Sequence, residues 1–218
     1  MASIINNVGA LNAKRNLAAS QSGLNTTINR LSTGLRINRA SDDAAGLQIS
    51  NNLRADIRIT NQARRNANDG LGRLAVADLV SEEATNVLTR AAELAEQAAS
   101  GTTTTAGRTA LDAEFTEIKA ALTRLDADTK FDGDDVFGKT MTVRVGETSA
   151  EVVDVTTLDI ASADLGLTGD LTTSANADTA LGQITAAIET VSAGRGSLGA
   201  KSQRLQTIVN SLGIVAEN

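Results

Sequence analysis

The side chains that carry out most protein chemistry are absent from this chain. Its 218 residues include no His and no Cys. The usual general base near neutral pH, the commonest metal ligand and every thiolate mechanism are therefore missing. Chemistry by paired carboxylates is the one enzymatic route left open. We predict that the chain is not an enzyme and has no catalytic residue and no cofactor.

Three sequence patterns resemble ligand sites without completing them. The segments Gly70-Leu71-Gly72 and Gly194-Arg195-Gly196 lack the preceding strand and following helix of a phosphate-binding loop. The acidic residues Asp132, Asp134 and Asp135 resemble part of a calcium loop but have no Glu at its twelfth position. We predict a solvated acidic turn there and no metal site.

The composition is typical of long, closely packed helices. Apolar residues make up 41% of the chain, yet it has three Phe and no Trp or Tyr, so small aliphatic side chains must build the core. The net charge of −6 argues against nucleic-acid binding. Local basic clusters are interpreted as solvated or subunit-facing strips, and they lie at Arg36 to Arg39 and at Arg54, Arg58, Arg64 and Arg65.

The sequence shows no pattern of membrane insertion or of secretion by a cleaved signal. No run approaches the roughly 18 continuous apolar residues of a membrane span. The amino terminus has no basic segment followed by an apolar segment and a cleavage site. Composition alone would indicate a cytoplasmic protein.

The first predicted helix, from about Ser3 to Leu35, has apolar residues on two opposed faces. At about 100° per residue, one group lies near one azimuth and a second group lies near the opposite one. Two such faces require more than one packing partner, which an assembly supplies readily. The first group is Ile4, Val8 and Leu11, and the second is Leu17, Leu24, Ile28, Leu31 and Leu35.

Two further helices are predicted to form an antiparallel hairpin. After a break with Ser41, Asp42 or Asp43 as the cap, the second helix runs from about Ala44 to Ala99. A Thr-rich loop follows, at residues 101–107, and then a third helix. Both helices carry heptad stripes, which are Ala77, Val80, Ala84, Val87, Ala91, Leu94 and Ala98 in one and Leu111, Phe115, Ile118, Leu122 and Leu125 in the other.

A β-hairpin and a last helix complete the predicted fold. Alternating apolar residues Met141, Val143, Val145, Val153 and Val155 predict the hairpin. The last helix is expected from about Asp178, with three- and four-residue stepping interrupted at Arg195 and Ser202. Its glycines Gly194, Gly196 and Gly199 are expected to mark close contact with another helix, with a local kink as the alternative.

Several polar and apolar runs in the first fifty residues carry a resemblance to a known family. The runs are Ile4-Ile5-Asn6-Asn7, Ala10-Leu11-Asn12-Ala13, Arg30-Leu31-Ser32-Thr33-Gly34-Leu35-Arg36-Ile37-Asn38 and Ala40-Ser41-Asp42-Asp43-Ala44-Ala45-Gly46-Leu47. In these runs the chain resembles bacterial flagellin, the subunit of the flagellar filament. The resemblance is strong over residues 1–70, clear over 80–133 and 180–218, and weak between them.

The resemblance implies a mainly α fold, an elongated antiparallel helical bundle like the D0 and D1 rod of flagellin with a small β-hairpin excursion. We expect an amino-terminal D0-like helix at residues 1–40 and D1 rod helices at 41–130. A short hairpin and loop excursion would follow at 131–177, and the carboxyl-side D1 helix at 178–218. Flagellins continue into a further carboxyl-terminal D0 helix, so we expect this chain to be truncated before it and not to polymerise normally.

By resemblance, the function is that of a structural subunit that assembles helically into the propeller for swimming. The alternative is a hook-filament junction protein, and a soluble acidic coiled-coil adaptor is a third, bland possibility. The implied partners are other flagellin subunits, the export apparatus, and cap and junction proteins. The implied location is the extracellular flagellum, reached through type III export without a cleaved signal. The candidate polymerisation contacts are Ile4, Val8, Leu11, Leu24, Ile28 and Leu31.

The resemblance also implies recognition by the innate receptor Toll-like receptor 5. The family pattern falls on Leu88, Arg90, Glu93, Leu94 and Ala95. Arg90 and Leu94, with Glu117 on the third helix, are therefore the candidate receptor contacts. The residues alone favour a different interpretation, in which Arg90 is an exposed helix residue paired with a nearby acid. Leu94 lies on the heptad stripe, which favours core packing.

Overall fold

A computed structural model describes residues 8–146, 148 and 150–218. Within these ranges the chain is mainly helical, and the prediction of a mainly α fold with a small antiparallel hairpin is confirmed. The elements are α1 (Val8–Thr33), α2 (Ala44–Ala99), α3 (Thr105–Asp128), β1 (Lys130–Phe131), β2 (Asp134–Asp135), β3 (Thr140–Arg144), β4 (Val152–Thr156) and α4 (Ser174–Glu217). The chain divides into two compact units, Met1–Ile57 and Arg58–Asn218.

The first unit contains α1 and the start of α2. No described residue of α1 is buried within the chain. The connection to α2 is held by Asp42, whose carboxylate accepts hydrogen bonds from the backbone N–H groups of Asn38 and Arg39 at 3.1 and 3.0 Å. Those two bonds lower the pKa of Asp42. Asp43 caps α2 by accepting the N–H of Gly46 at 2.8 Å, so it is the cap among the three candidates.

The second unit is an antiparallel bundle of α2, α3 and α4. The Ser174 hydroxyl at the start of α4 donates to the carbonyl of Ala99 at the end of α2. Arg195 lies twenty-one residues after Ser174 in α4, and it binds Asp78, which lies twenty-one residues before Ala99 in α2. The two helices therefore run antiparallel. The heptad stripes of the three helices form one hydrophobic core, whose largest buried residues include Phe115, Leu88, Leu94, Leu122, Ile184 and Leu205.

Threonine caps move the starts of two helices away from their predicted positions. Thr104 accepts the N–H of Gly107, so α3 begins at Thr105, inside the predicted loop. Thr173 accepts the N–H of Asn176, so α4 begins at Ser174 and not near Asp178. The domain boundaries predicted from the sequence at residues 40, 130 and 177 stay predictions.

Two short hairpins leave the bundle between α3 and α4. The β1–β2 hairpin turns through Asp132 and Gly133, which both have positive φ, as a two-residue type I′ turn requires. In the second hairpin, Met141 pairs with Val155 and Val143 with Val153, in agreement with the predicted alternation. A Cβ at Gly70 would lie 2.9 Å from Cγ2 of Val143, so this glycine allows the hairpin to pack on α2.

Residues 157–173, here called the strap, run from β4 back to α4 along α3. Three side chains spaced seven residues apart on α3 bind the strap backbone. Asp126 accepts the N–H of Ile160 at 3.0 Å, Lys119 donates to the carbonyl of Gly169 at 2.9 Å, and Asp112 accepts the N–H of Leu171 at 2.8 Å. The apolar residues Ile160, Leu165, Leu167 and Leu171 of the strap are buried. The sequence analysis assigned this segment only as a loop.

The prediction of close helix contacts at the glycines of α4 is wrong. A Cβ at Gly194 would contact Leu158 of the strap at 3.5 Å, and a Cβ at Gly196 or Gly199 would meet nothing within 4 Å. The interruption of the stripe at Arg195 has a different explanation. Its guanidinium binds Asp78 at 2.9 Å and Glu82 at 3.2 Å, both on α2, and these partners raise the pKa of Arg195, Asp78 most.

Candidate assembly and receptor surfaces

The apolar faces of α1 are exposed. The described candidate polymerisation contacts have exposed fractions of 66% for Val8, 56% for Leu11, 54% for Leu24, 53% for Ile28 and 86% for Leu31. Ile4 lies outside the described residues. Covering this row of aliphatic side chains with a partner lowers the free energy, because it removes apolar surface from water. The arrangement provides a surface for protein association.

The candidate receptor surface lies on the hairpin of α2 and α3. Arg90 is half-exposed, and its guanidinium binds Glu114 on α3 at 2.8 Å and Glu93 on α2 at 2.9 Å. The hydrogen bond that Arg90 donates to Glu114, followed by the one it donates to Glu93, raises the pKa of Arg90. Spacing along a single helix does not identify Glu114, although the antiparallel pairing of the two helices could have indicated it. Glu117 is exposed one turn further along α3.

The structure corrects the assignment of Leu94. Its side chain is 1% exposed and belongs to the core between the helices. A receptor cannot contact a side chain that the hairpin encloses, so Leu94 supports the surface from beneath and is not a contact residue. This agrees with the heptad position of Leu94, and it leaves Arg90 and Glu117 as the accessible candidates.

The Gly70-Leu71-Gly72 segment has a structural role. It lies inside α2, where Gly70 accommodates Val143, and a Cβ at Gly72 would lie 3.6 Å from the ring of Phe131. Among the described residues, no group of three or more acidic side chains is placed to hold a metal ion. In the same part of the chain, no helix is both long and apolar enough to cross a membrane.

Comparison with known proteins assigns the family. The family model described as "Bacterial flagellin N-terminal helical region" matches residues 4–142. A flagellin of Halalkalibacterium halodurans is 36% identical over 222 residues, a match that covers 99% of this chain and 82% of that protein. The chain belongs to the bacterial flagellin family. The resemblance inferred from its first fifty residues is therefore confirmed.

Other relatives are longer than this chain. The B-type flagellin of Pseudomonas aeruginosa is 43% identical over 164 residues, which cover 73% of this chain and 33% of that protein. The chain thus spans about a third of the length of this relative. The middle region of this chain is short, and the described part of residues 129–173 forms two small hairpins and the strap.

Two solved structures share the fold. The crystal structure of Bacillus cereus flagellin has a TM-score of 0.61 and 25% identity, and the match covers 68% of this chain and 88% of that one. A structure described as a flagellar hook-associated protein from Vibrio parahaemolyticus has a TM-score of 0.66 over 80% of this chain and 94% of that one. At 13% identity, this second likeness shows the fold alone.

Proposed function

We propose that this chain is a structural subunit of the bacterial flagellar filament, and that it assembles helically with copies of itself. The exposed apolar faces of α1 carry the proposal, because such a surface calls for partner helices. The bundle of the second unit provides a rigid element through which a filament transmits torque. Small shifts in packing between neighbouring subunits would then set its supercoil. No step of bond chemistry is required.

The experiment that tests this function locates the protein on the cell. Antibodies raised against the chain and labelled with gold should mark the filament of its own bacterium along its whole length. The junction alternative, which comes from the sequence resemblance, predicts label only between hook and filament. Identities of 36–43% to flagellins favour the filament. Label restricted to the junction or absent from the flagellum would refute the proposal.

A substitution tests the contribution of α1. Ile28→Glu in the bacterium's own gene places a charge on the apolar face, and we expect short or absent filaments because that charge must be desolvated between subunits. Gln21→Glu adds the same charge to the same helix at an exposed polar residue and is the matched control. Equal filament lengths in the two strains would contradict a role of the apolar face in assembly.

The proposed location is extracellular, with passage through the flagellar export apparatus and assembly beneath a cap and beside junction proteins. The absence of Cys supports this route, because no disulfide can hold the chain folded during export. The measurement is detection of the chain in the culture medium of a strain without the filament cap. Retention of the chain inside those cells would contradict the proposed export.

Recognition by Toll-like receptor 5 is the proposed second binding property. Arg90 has the planar guanidinium and long stem of an interface anchor, and Glu114 holds it in place on the surface. Arg90→Ala should reduce receptor binding in a surface-binding assay, and Glu117→Ala should reduce it less. Glu83→Ala, an exposed position of the same helix, is the control. Binding by Arg90→Ala equal to that of the unmodified chain would refute the assignment.

A further inference from the structure

A cavity lies within the second unit, where the strap and the loop after β2 meet α2 and α4. Its volume is about 380 Å³, which lies in the range of small-molecule sites, roughly 300–1,000 Å³. Its mouth is open to solvent beside Ser197 of α4, which is exposed. Four buried apolar side chains form much of its wall, and they are Phe137, Ile160, Val191 and Leu198. The cavity can therefore accept an apolar group from solution.

Two hydroxyl groups of the wall are already used within the chain. Ser81 donates to the carbonyl of Ala77 at 2.7 Å, and Thr157 donates to the carbonyl of Val136 at 2.6 Å. Their protons are not available to orient a ligand. The remaining charged group of the wall is the carboxylate of Asp159, and its situation is different.

Asp159 is held at the cavity without a partner. It is half-buried, and its carboxylate lies against Gly138, since a Cβ at that glycine would overlap Oδ1 of Asp159. Within the described ranges, no hydrogen bond or ion pair to this carboxylate is found. Burial, followed by the charges of Asp126 and Asp164, raises the pKa of Asp159. The cavity thus presents an uncompensated negative charge beside an apolar wall.

The neighbouring cations do not compensate this charge. Lys139 and Arg195 each follow a glycine of the cavity wall, but Lys139 binds Asp135 at 2.9 Å. Arg195 binds Asp78 at 2.9 Å and Glu82 at 3.2 Å. A metal ion is a poor fit, because the described part of the chain brings no three acidic side chains together for one. One carboxylate beside an apolar wall complements an organic cation with a single charge.

We propose that this cavity binds a small primary alkylammonium ion, with its alkyl chain against Phe137 and Val191 and its ammonium group on Asp159. The alkyl chain leaves water for an apolar wall, and the ammonium group donates charge-assisted hydrogen bonds to the carboxylate. The ligand contacts the strap and α4 together, so it stabilises the folded second unit by mass action. This binding property is separate from the proposed filament function, and neither one depends on the other.

The test measures thermal unfolding of the full chain at pH 7 with 10 mM n-hexylammonium chloride. A Kd of about 1 mM would raise the Tm by about 3–6 °C at this concentration. In a ¹H–¹⁵N correlation spectrum, the amide signals of Gly138 and Gly194 should shift with ligand concentration, because both residues line the cavity. Hexanol, hexanoate and sodium chloride at 10 mM are the controls, and each should give a smaller rise in Tm.

Removal of one charge tests the role of the carboxylate. Asp159→Asn keeps the shape of the side chain and should weaken binding of n-hexylammonium by about tenfold or more, because the charge-assisted hydrogen bonds are lost. Loss of folding does not confuse this result, because relief of an uncompensated charge stabilises the variant. Asp164→Asn removes the same charge from an exposed residue of the strap that does not line the cavity, and it should change the affinity less than about twofold.

A second pair of variants tests the cavity itself. Gly194→Val adds a side chain to the wall beside Leu158 and should weaken binding, whereas Gly196→Val adds the same side chain to α4 where a Cβ meets nothing within 4 Å. The proposal would be overturned by an unchanged Tm with n-hexylammonium, or by an equal rise with hexanol. It would also be overturned by undiminished binding to Asp159→Asn, or by signal shifts confined to residues away from the cavity.

Discussion

The burial of Leu94 beneath the candidate receptor surface leads to a prediction that separates packing from recognition. Leu94→Ala removes a side chain that is 1% exposed and leaves a cavity between the helices. Buried Leu→Ala substitutions cost about 2–5 kcal/mol, and the close-packed Ala residues around this helix leave little room for collapse. At about 2–4 °C per kcal/mol, a loss of 3 kcal/mol lowers the Tm by roughly 6–12 °C.

The assay is thermal and denaturant unfolding followed by circular dichroism, with receptor binding measured on the same samples below the transition. Arg90→Ala is the paired variant, because its ion pairs are half-exposed and screened by solvent, so their loss should change the stability little. We expect Leu94→Ala to lose stability and to keep receptor binding while it is folded. We expect Arg90→Ala to keep its stability and to lose receptor binding. A Leu94→Ala variant within 1 kcal/mol of the unmodified chain would refute the buried assignment.

Substitutions at three other positions should shift stability in defined directions. Gly196→Ala should raise the free energy of unfolding by about 1 kcal/mol, because this exposed helix position has space for a Cβ. Asp159→Asn should raise the Tm at pH 7, since burial and the charges of Asp126 and Asp164 raise the pKa of Asp159 and disfavour its ionised form. The pKa of Asp170 is lowered to about 2, so its stabilising contribution should be lost as the pH falls from 4 towards 2.

Each of these effects has a control in the same fold. Gly70→Ala should destabilise the chain, because its Cβ would lie 2.9 Å from Val143, and equal effects at Gly70 and Gly196 would contradict the packing described. The gain from Asp159→Asn should shrink at acidic pH, where the native carboxyl is already protonated. Asp170→Asn should flatten acid unfolding between pH 4 and 2, and an unchanged profile would contradict the role of Asp170.

Local patterns were sufficient to predict the helices and the main hairpin. The stripes of α2, α3 and α4 repeat at helical spacing, and the alternation around Val143 and Val153 repeats at strand spacing. Such periodicities depend on neighbours a few residues apart, so they can be recognised without knowing what the element packs against. The helix starts at Thr105 and Ser174 were displaced because several Thr and Asp residues nearby were all acceptable caps.

Contacts between residues distant in sequence could not be predicted in this way. The partner of Arg90 is twenty-four residues away, and that of Arg195 is more than a hundred. Lys119 is an ordinary helix residue until the strap lies against it, fifty residues later in the chain. The choice among several acids, or among several backbone carbonyls, depends on the register and rotation of packed helices, which sequence spacing does not specify.

The sequence by itself determined the class of protein, through the polar and apolar runs of the first fifty residues, and it determined the elements through their periodicity. Tertiary structure alone decided which residues of those elements remain available to partners. It enclosed Leu94, left Arg90 on the surface beside Glu114, and paired Arg195 of α4 with an acid of α2. The physical reason is that periodicity places a residue on a face of its own helix, whereas burial and charge pairing depend on the neighbouring helix that covers that face.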